Sequence, residues 1–141
     1  MTTQQTTPVY APAVLRFGMA ALFLWFGLSQ VINPSAWMSW LPERVLSIPW
    51  LGGTTIIFLN GTFETLGGIL LAVGLWTRWA ALLLSLHLFF IAYEIGYNDI
   101  GVRDFSLAVA TLALSLFGPD RFTIDSKMGA NRVSGNFGTQ E

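Results

Sequence analysis

The chain has 141 residues, of which 53% are hydrophobic and 11% charged, with no cysteine and a formal net charge of −1. A soluble domain needs about a quarter of its residues charged to build a polar shell, so a soluble globular fold is excluded; no basic surface exists for nucleic acid or anionic lipid. Without cysteine, disulfides, thiol relays, Cys-ligated zinc and Cys-bound clusters are excluded as well.

The length allows one domain and no separate catalytic module. The first residues are polar, rich in Thr and Gln up to Thr7, with no basic residue before the first apolar run. That run therefore reads as a retained helix, not a cleaved signal. A span needs roughly 20 mostly apolar residues at about 1.5 Å each to cross the hydrocarbon. Four stretches qualify. The first runs from about Val14 to Ile32, closed by Asn33-Pro34. The second runs from about Thr54 to Leu75 and contains Glu64. The third covers Trp79 to about Gly96 and holds the only histidine, His87. The fourth covers about Val102 to Phe117, closed by Gly118-Pro119. The last two include polar residues at their outer ends, which tilt and snorkelling accommodate.

The expected fold class is thus all-α, an integral membrane four-helix bundle with an interfacial segment between helices 1 and 2. Residues 1–12 form a polar N-terminal tail, 13–125 the four-helix transmembrane domain and 126–141 a polar C-terminal tail. Four spans put both termini on one side, which holds Arg16, Arg78, Arg121, Lys127 and Arg132 against Arg44 and Arg103 opposite. The positive-inside rule then places both termini in the cytoplasm. The long connection from Pro34 to Gly53 carries Trp37, Trp40 and Trp50. It reads first as an interfacial anchor and second as a lid over a site between the helices. Small residues mark packing faces: Ala20 and Gly27 on the first helix, Gly61, Gly68 and Leu75 with neighbouring Gly67 and Gly74 on the second, and Ser106, Ala110 and Ala113 on the fourth.

Glu64 lies about ten residues into the second span. An ionised carboxylate there costs at least about 2.5 kcal/mol on insertion scales, so it must be protonated, paired or facing a polar cavity. It is either a neutral group bonding a neighbouring helix or a site carboxylate that handles protons or a ligand. His87 falls at similar depth on the antiparallel third span. The two could hold one proton between them and pass it on, as quinone or proton chemistry requires, or His87 could simply satisfy Glu64. Glu94, seven residues after His87, lies on nearly the same face about 10 Å outward. Glu64, His87 and Glu94 could line a polar path, and Arg103 is expected to pair with Glu94, Asp99 or Asp104.

Arg16, at the end of the first span, is expected to snorkel, too far in depth from Glu64 for a pair. Arg78 reads as a topology anchor in the Trp76–Trp79 turn. No Ser/His/Asp set, phosphate loop or metal cluster appears, and one histidine excludes bis-His haem ligation within the chain. No metal is assigned; the one ligand set at hand is His87 with Glu64 and Glu94.

Three segments carry a resemblance: RFGMAALFLWFGLSQ from Arg16, ETLGGILLAVGLWTRWAALLLSLHL from Glu64, and FGPDRFTID ending at Asp125. Across Arg16 to Asp125 the chain resembles the DoxX family of small four-helix membrane proteins. In that family the first helix opens with Arg and the second carries Glu before a Gly pair. A "GL.TR.AA" stretch then leads into the third, and the chain closes on a "G.G..S.D"-like signature. Here Asp120 stands where a small residue is usual, and Thr123 replaces Ser. The family name comes from a small subunit of a thiosulfate:quinone oxidoreductase, so the resemblance implies a bacterial cytoplasmic (inner) membrane protein near redox chemistry.

The function expected is a membrane subunit or anchor of a quinone-linked oxidoreductase system, with a quinone as the cofactor to be sought near Glu64, His87, Glu94 and Arg103. The alternative is a non-enzymatic assembly subunit of a larger membrane complex. A third reading is proton or small-solute passage along Glu64, His87 and Glu94. Expected partners are the lipid bilayer and other membrane or redox subunits, or a second copy of the chain; a stand-alone enzyme ranks last.

Overall fold

A computed structural model describes residues 10–47 and 50–129. The expected tails lie mostly outside the described residues. Four long helices run antiparallel in sequence: α1 (Ala11–Ile32), α3 (Gly53–Val73), α4 (Thr77–Ile95) and α5 (Asp99–Phe117). Between α1 and α3 lie a 3₁₀ segment, Pro34–Trp40, and the single-turn helix α2, Glu43–Leu46. All four long helices are long and apolar enough to cross a membrane. The molecule is an all-α membrane bundle. Its terminal end carries the start of α1 and the finish of α5; its loop end carries the Pro34–Gly53 connection.

Each helix stops where its sequence forbids continuation. Pro34 disfavours a helical Asn33, which turns out at φ −138°, ψ 72°. Gly74 closes α3 in the left-handed region (φ 70°), which glycine adopts without steric cost, and Leu75 N donates back to Leu70 O at 3.0 Å. Asn98 caps α5, its Oδ1 accepting from Ile100 N and Gly101 N, both at 3.0 Å.

Buried positions recur with a spacing of three and four: Arg16, Ala20, Phe23, Gly27 and Gln30 on α1, and Ile57, Gly61, Glu64, Gly68 and Leu71 on α3. That 3.5-residue period is the seam of helices packed nearly parallel. The helices associate as two tight pairs, α1 with α3 and α4 with α5. Gly27 and Gly61 bring the first pair together. A Cβ on Gly27 would stand 2.6 Å from Thr65 N, and one on Gly61 would stand 2.7 Å from Gly27 O. In the second pair Ser85 Oγ donates to Ala108 O at 2.9 Å and Phe89 meets Phe105 edge-on.

The small-residue faces read from sequence hold on α1 and α3 but not on α5. Gly68 faces Leu24 and Gly67 faces Leu84. On α5 the buried stripe is Gly101, Asp104, Ala108, Thr111 and Leu114, while Ser106 is exposed and Ala110 and Ala113 are half-buried. Side-chain size misled because the true stripe mixes small, polar and large residues. Leu75 lies beyond α3, in the turn.

Candidate functional site

The terminal end is fastened by charge. Arg16 does not snorkel: it is fully buried, with Nε donating to Asp120 Oδ2 at 2.7 Å and Nη1 donating to Leu71 O (2.6 Å) and Ala72 O (2.8 Å). α1 is flanked there by the finish of α3 and by the closing segment, which together supply two carbonyls and a carboxylate. The Asp120 that departs from the family pattern is the counter-ion of Arg16. Its other oxygen accepts from Phe122 N at 2.8 Å.

Asp125 completes this closure. Its carboxylate accepts from Trp76 N (2.9 Å), Thr77 N (2.8 Å) and Thr77 Oγ1 (2.9 Å), capping α4 from outside the helix. The bonds hold Trp76 at φ 50°, a left-handed conformation that a bulky residue seldom takes. Partial burial works to raise the Asp125 carboxyl, but the three hydrogen bonds outweigh it and hold its pKa below the ordinary value. Arg78 lies against Gly118, where an added Cβ would meet its guanidinium, so it fills the α4–α5 seam at this end.

At the loop end the two helix pairs separate around a cavity of about 430 Å³. Its deep floor is polar. Glu64, 4% exposed, accepts from Asn60 Nδ2 on Oε1 (3.1 Å) and from Gln30 Nε2 on Oε2 (3.4 Å), and Asn60 Nδ2 also donates to Gln30 Oε1 at 2.7 Å. These amides present donors to both carboxylate oxygens, the arrangement a carboxylate accepts.

His87 faces Glu64 across the α3–α4 seam, its Nε2 standing 3.5 Å from Oε1. That separation is within reach of an ion pair but does not make a hydrogen bond, and Nε2 is buried without any partner. The Phe63 ring packs against the imidazole at 4.8 Å. The structure thus brings together the two residues that span counting placed at equal depth.

The walls are apolar and aromatic, with Phe23 and Phe26 from α1, Ile57 from α3 and Leu88 and Ile91 from α4. Glu94 and Arg103 also line the cavity, nearer the loop end. They do not pair with each other. Glu94 meets Arg44 of α2 at 3.5 Å, whereas Arg103 binds Asp104, with Nε and Nη2 at 2.9 and 2.8 Å from Oδ1. No three of His, Asp and Glu lie close enough to hold a metal ion among the described residues.

The long connection serves as a roof. Trp37, Trp40, Leu41, Pro42 and Val45 line the cavity, and Trp37 meets Phe26 edge-on at 5.7 Å. Trp50 is 84% exposed, in the manner of an interfacial anchor. Sequence reasoning missed Gln30 and Asn60. Both carried a signal: each is an amide inside an apolar run, and Asn60 precedes Glu64 by four residues, hence on the same helix face.

No curated protein and no solved structure matches the chain. A family model described as DoxX matches residues 11–95, which include α1, the roof, α3 and α4 with Glu64 and His87. The chain belongs to the DoxX family.

Proposed function

We propose that this protein is the membrane subunit of a quinone-linked oxidoreductase system in a bacterial inner membrane, with both termini in the cytoplasm, and that a quinone head docks in the cavity at Glu64 and His87. The observation that carries the reading is the floor of the cavity: a carboxylate and an unpartnered imidazole at the bottom of an aromatic-walled space. A cavity of 430 Å³ falls within the about 300–1,000 Å³ usual for small-molecule sites. A quinone offers what the floor lacks, a flat apolar ring with carbonyl oxygens able to accept from His87.

When bound, a quinone takes up two electrons and two protons to become a quinol. The electrons come from a partner redox subunit, since this chain carries no cysteine and one histidine. Glu64 and His87 hold protons at the depth of the ring. Gln30 and Asn60 fix the carboxylate so that Oε1 stays turned towards His87. The roof keeps water from the aromatic walls, and Glu94 and Arg103 at the upper end of the cavity supply polar positions through which protons reach the floor.

The test is purification in mild detergent or nanodiscs with extraction of bound quinone. Wild-type protein should retain it, and Glu64→Gln should lose most of it while folding normally. Unchanged quinone content and unchanged activity of the copurifying partner in Glu64→Gln would overturn the reading and leave Glu64 a structural residue of an assembly subunit.

A further inference from the structure

We propose that the cavity is reached from the bilayer through a window between α3 and α4, and that its ligand is accordingly a lipid-soluble quinone with a long apolar tail. The head sits on the floor while the tail leaves between Phe63 and Phe90. The inference rests on the quinone reading and adds the substrate class and the route.

The α3–α4 seam is closed below and open above. Towards the terminal end the two helices share the Gly74–Trp76 turn, and Gly67 lies so near Leu84 that a Cβ would stand 2.7 Å from it. At mid-depth the seam is held only by side chains, Phe63 on His87 at 4.8 Å and His87 facing Glu64 at 3.5 Å. Above them Ile56 and Asn60 of α3 and Phe90 and Ile91 of α4 line the cavity. Phe90 is 61% exposed on the outer surface while it lines the cavity. The wall there is one side chain thick. Phe63, 39% exposed, packs on His87 just below, on the outer side of the same seam.

The other routes are obstructed. At the loop end the roof of Trp37, Trp40, Leu41, Pro42 and Val45 covers the cavity. The Arg44–Glu94 pair ties α2 to α4 there. The opposite seam, between α1 and α5, is bridged by Arg103, whose guanidinium lies 5.9 Å over the Phe26 ring while it pairs with Asp104. An apolar chain threaded through that seam would have to displace a charged bridge. Through the α3–α4 window it meets Phe90, Ile91 and Ile56, with the uncharged amide of Asn60 as the polar group and no ion pair to displace.

Size and solvent then select the ligand. The cavity lies at the small end of the range for small-molecule sites, about 300–1,000 Å³, enough for a substituted ring but not for a polyisoprenoid chain as well. The excess chain must lie outside, and the window faces hydrocarbon, where an apolar tail avoids water.

The probe is a prenylated benzoquinone with a diazirine on the first isoprene unit of its tail, the part that crosses the window, photolysed with full-length protein in nanodiscs and mapped by peptide sequencing. Label should fall on Phe63, Phe90 and their neighbours. In parallel, Phe90→Trp narrows the window and should slow association at least about fivefold, within the range over which mutants of one site vary. A Phe105→Trp control on the far face of α4–α5 should stay within about twofold. Label on Leu22 and Leu107 at the α1–α5 seam, or on Trp37 and Trp40 of the roof, overturns the window and leaves quinone binding intact. So does an unchanged association rate in Phe90→Trp. Absence of any bound or photolabelled quinone overturns both readings together.

Discussion

Removing Arg16 is the sharpest test of how this bundle is held. Its guanidinium is fully buried, with a 2.7 Å bond to Asp120 and two carbonyl acceptors at 2.6 and 2.8 Å. Breaking a buried pair by deleting one partner costs about 3–5 kcal/mol, because the remaining charge stays buried without compensation. Arg16→Met keeps most of the apolar stem, so its cost should lie in that range. Asp120→Asn leaves a polar acceptor and the two carbonyls in place, and should cost about 1.5–3 kcal/mol, the worth of a charge-assisted hydrogen bond. Combined with Asp120→Leu, Arg16→Met leaves no orphaned charge. The double variant should therefore be more stable than the sum of the single changes by about 1–3 kcal/mol. Equilibrium unfolding in mixed micelles, followed by the fluorescence of the six tryptophans, measures all of these. An Arg16→Met cost under about 1 kcal/mol, or strict additivity in the double variant, would refute the argument that this ion pair locks the terminal end.

Asp125→Ala should cost about 0.5–2 kcal/mol by uncapping α4. Because the folded carboxyl titrates below its ordinary value, the wild-type contribution is complete above the unfolded value and fades only as pH falls through the lowered folded one; a wild-type-to-alanine difference that grew on acidification would contradict this. Gly27→Ala should destabilise by about 1–3 kcal/mol, as overpacking does, since the new Cβ would meet the Thr65 hydroxyl at 2.5 Å and, even with that side chain turned away, backbone at 2.6 and 2.8 Å; a neutral result in the same unfolding assay would show that α1 and α3 part without cost. Arg44→Ala should change stability by no more than about 0.5 kcal/mol, because its side chain is 74% exposed; a larger loss would mean that the roof depends on that contact.

The spans were legible because hydropathy and chain-breaking residues are local signals. Asn33-Pro34 and Gly118-Pro119 mark helix ends in the sequence, and α1 and α5 finish at Ile32 and Phe117. The equal depth of Glu64 and His87 followed from counting along antiparallel helices. That their faces meet did not follow, since facing depends on helix rotation, which packing sets. Arg16 and Asp120 escaped for a related reason. They are 104 residues apart, and a snorkelling argument treats each helix as if alone in lipid. The stripe of α5 was misread because small residues were used as the sole marker of contact, whereas Asp104 and Thr111 are buried there with their polar atoms bonded within α5, to Arg103 and to Leu107 O. Gln30 and Asn60 were visible as amides in apolar runs, but only the fold shows that both turn to one carboxylate.

The placement of the fastenings bears on how the floor works. Gln30, Asn60 and Glu64 all belong to the α1–α3 pair, locked together at Gly27 and Gly61, so the carboxylate moves with that pair as one body. His87 belongs to the α4–α5 pair, joined through Ser85 and Ala108. The two pairs are pinned to each other at the terminal end by Arg16, Asp120 and Asp125, and the cavity separates them at the other. A small change in their splay would therefore leave the hydrogen bonds inside each pair intact and alter the contacts between the pairs, the distance between Glu64 and His87 among them. That distance is 3.5 Å, a few tenths longer than the 2.7–3.2 Å of an N–H···O bond. Slight closure would make the bond and let a proton pass between the pairs; slight opening would widen the α3–α4 window. On the proposed reading the same motion would govern proton contact and ligand passage, while the buried Arg16–Asp120 pair fastens the end that need not move.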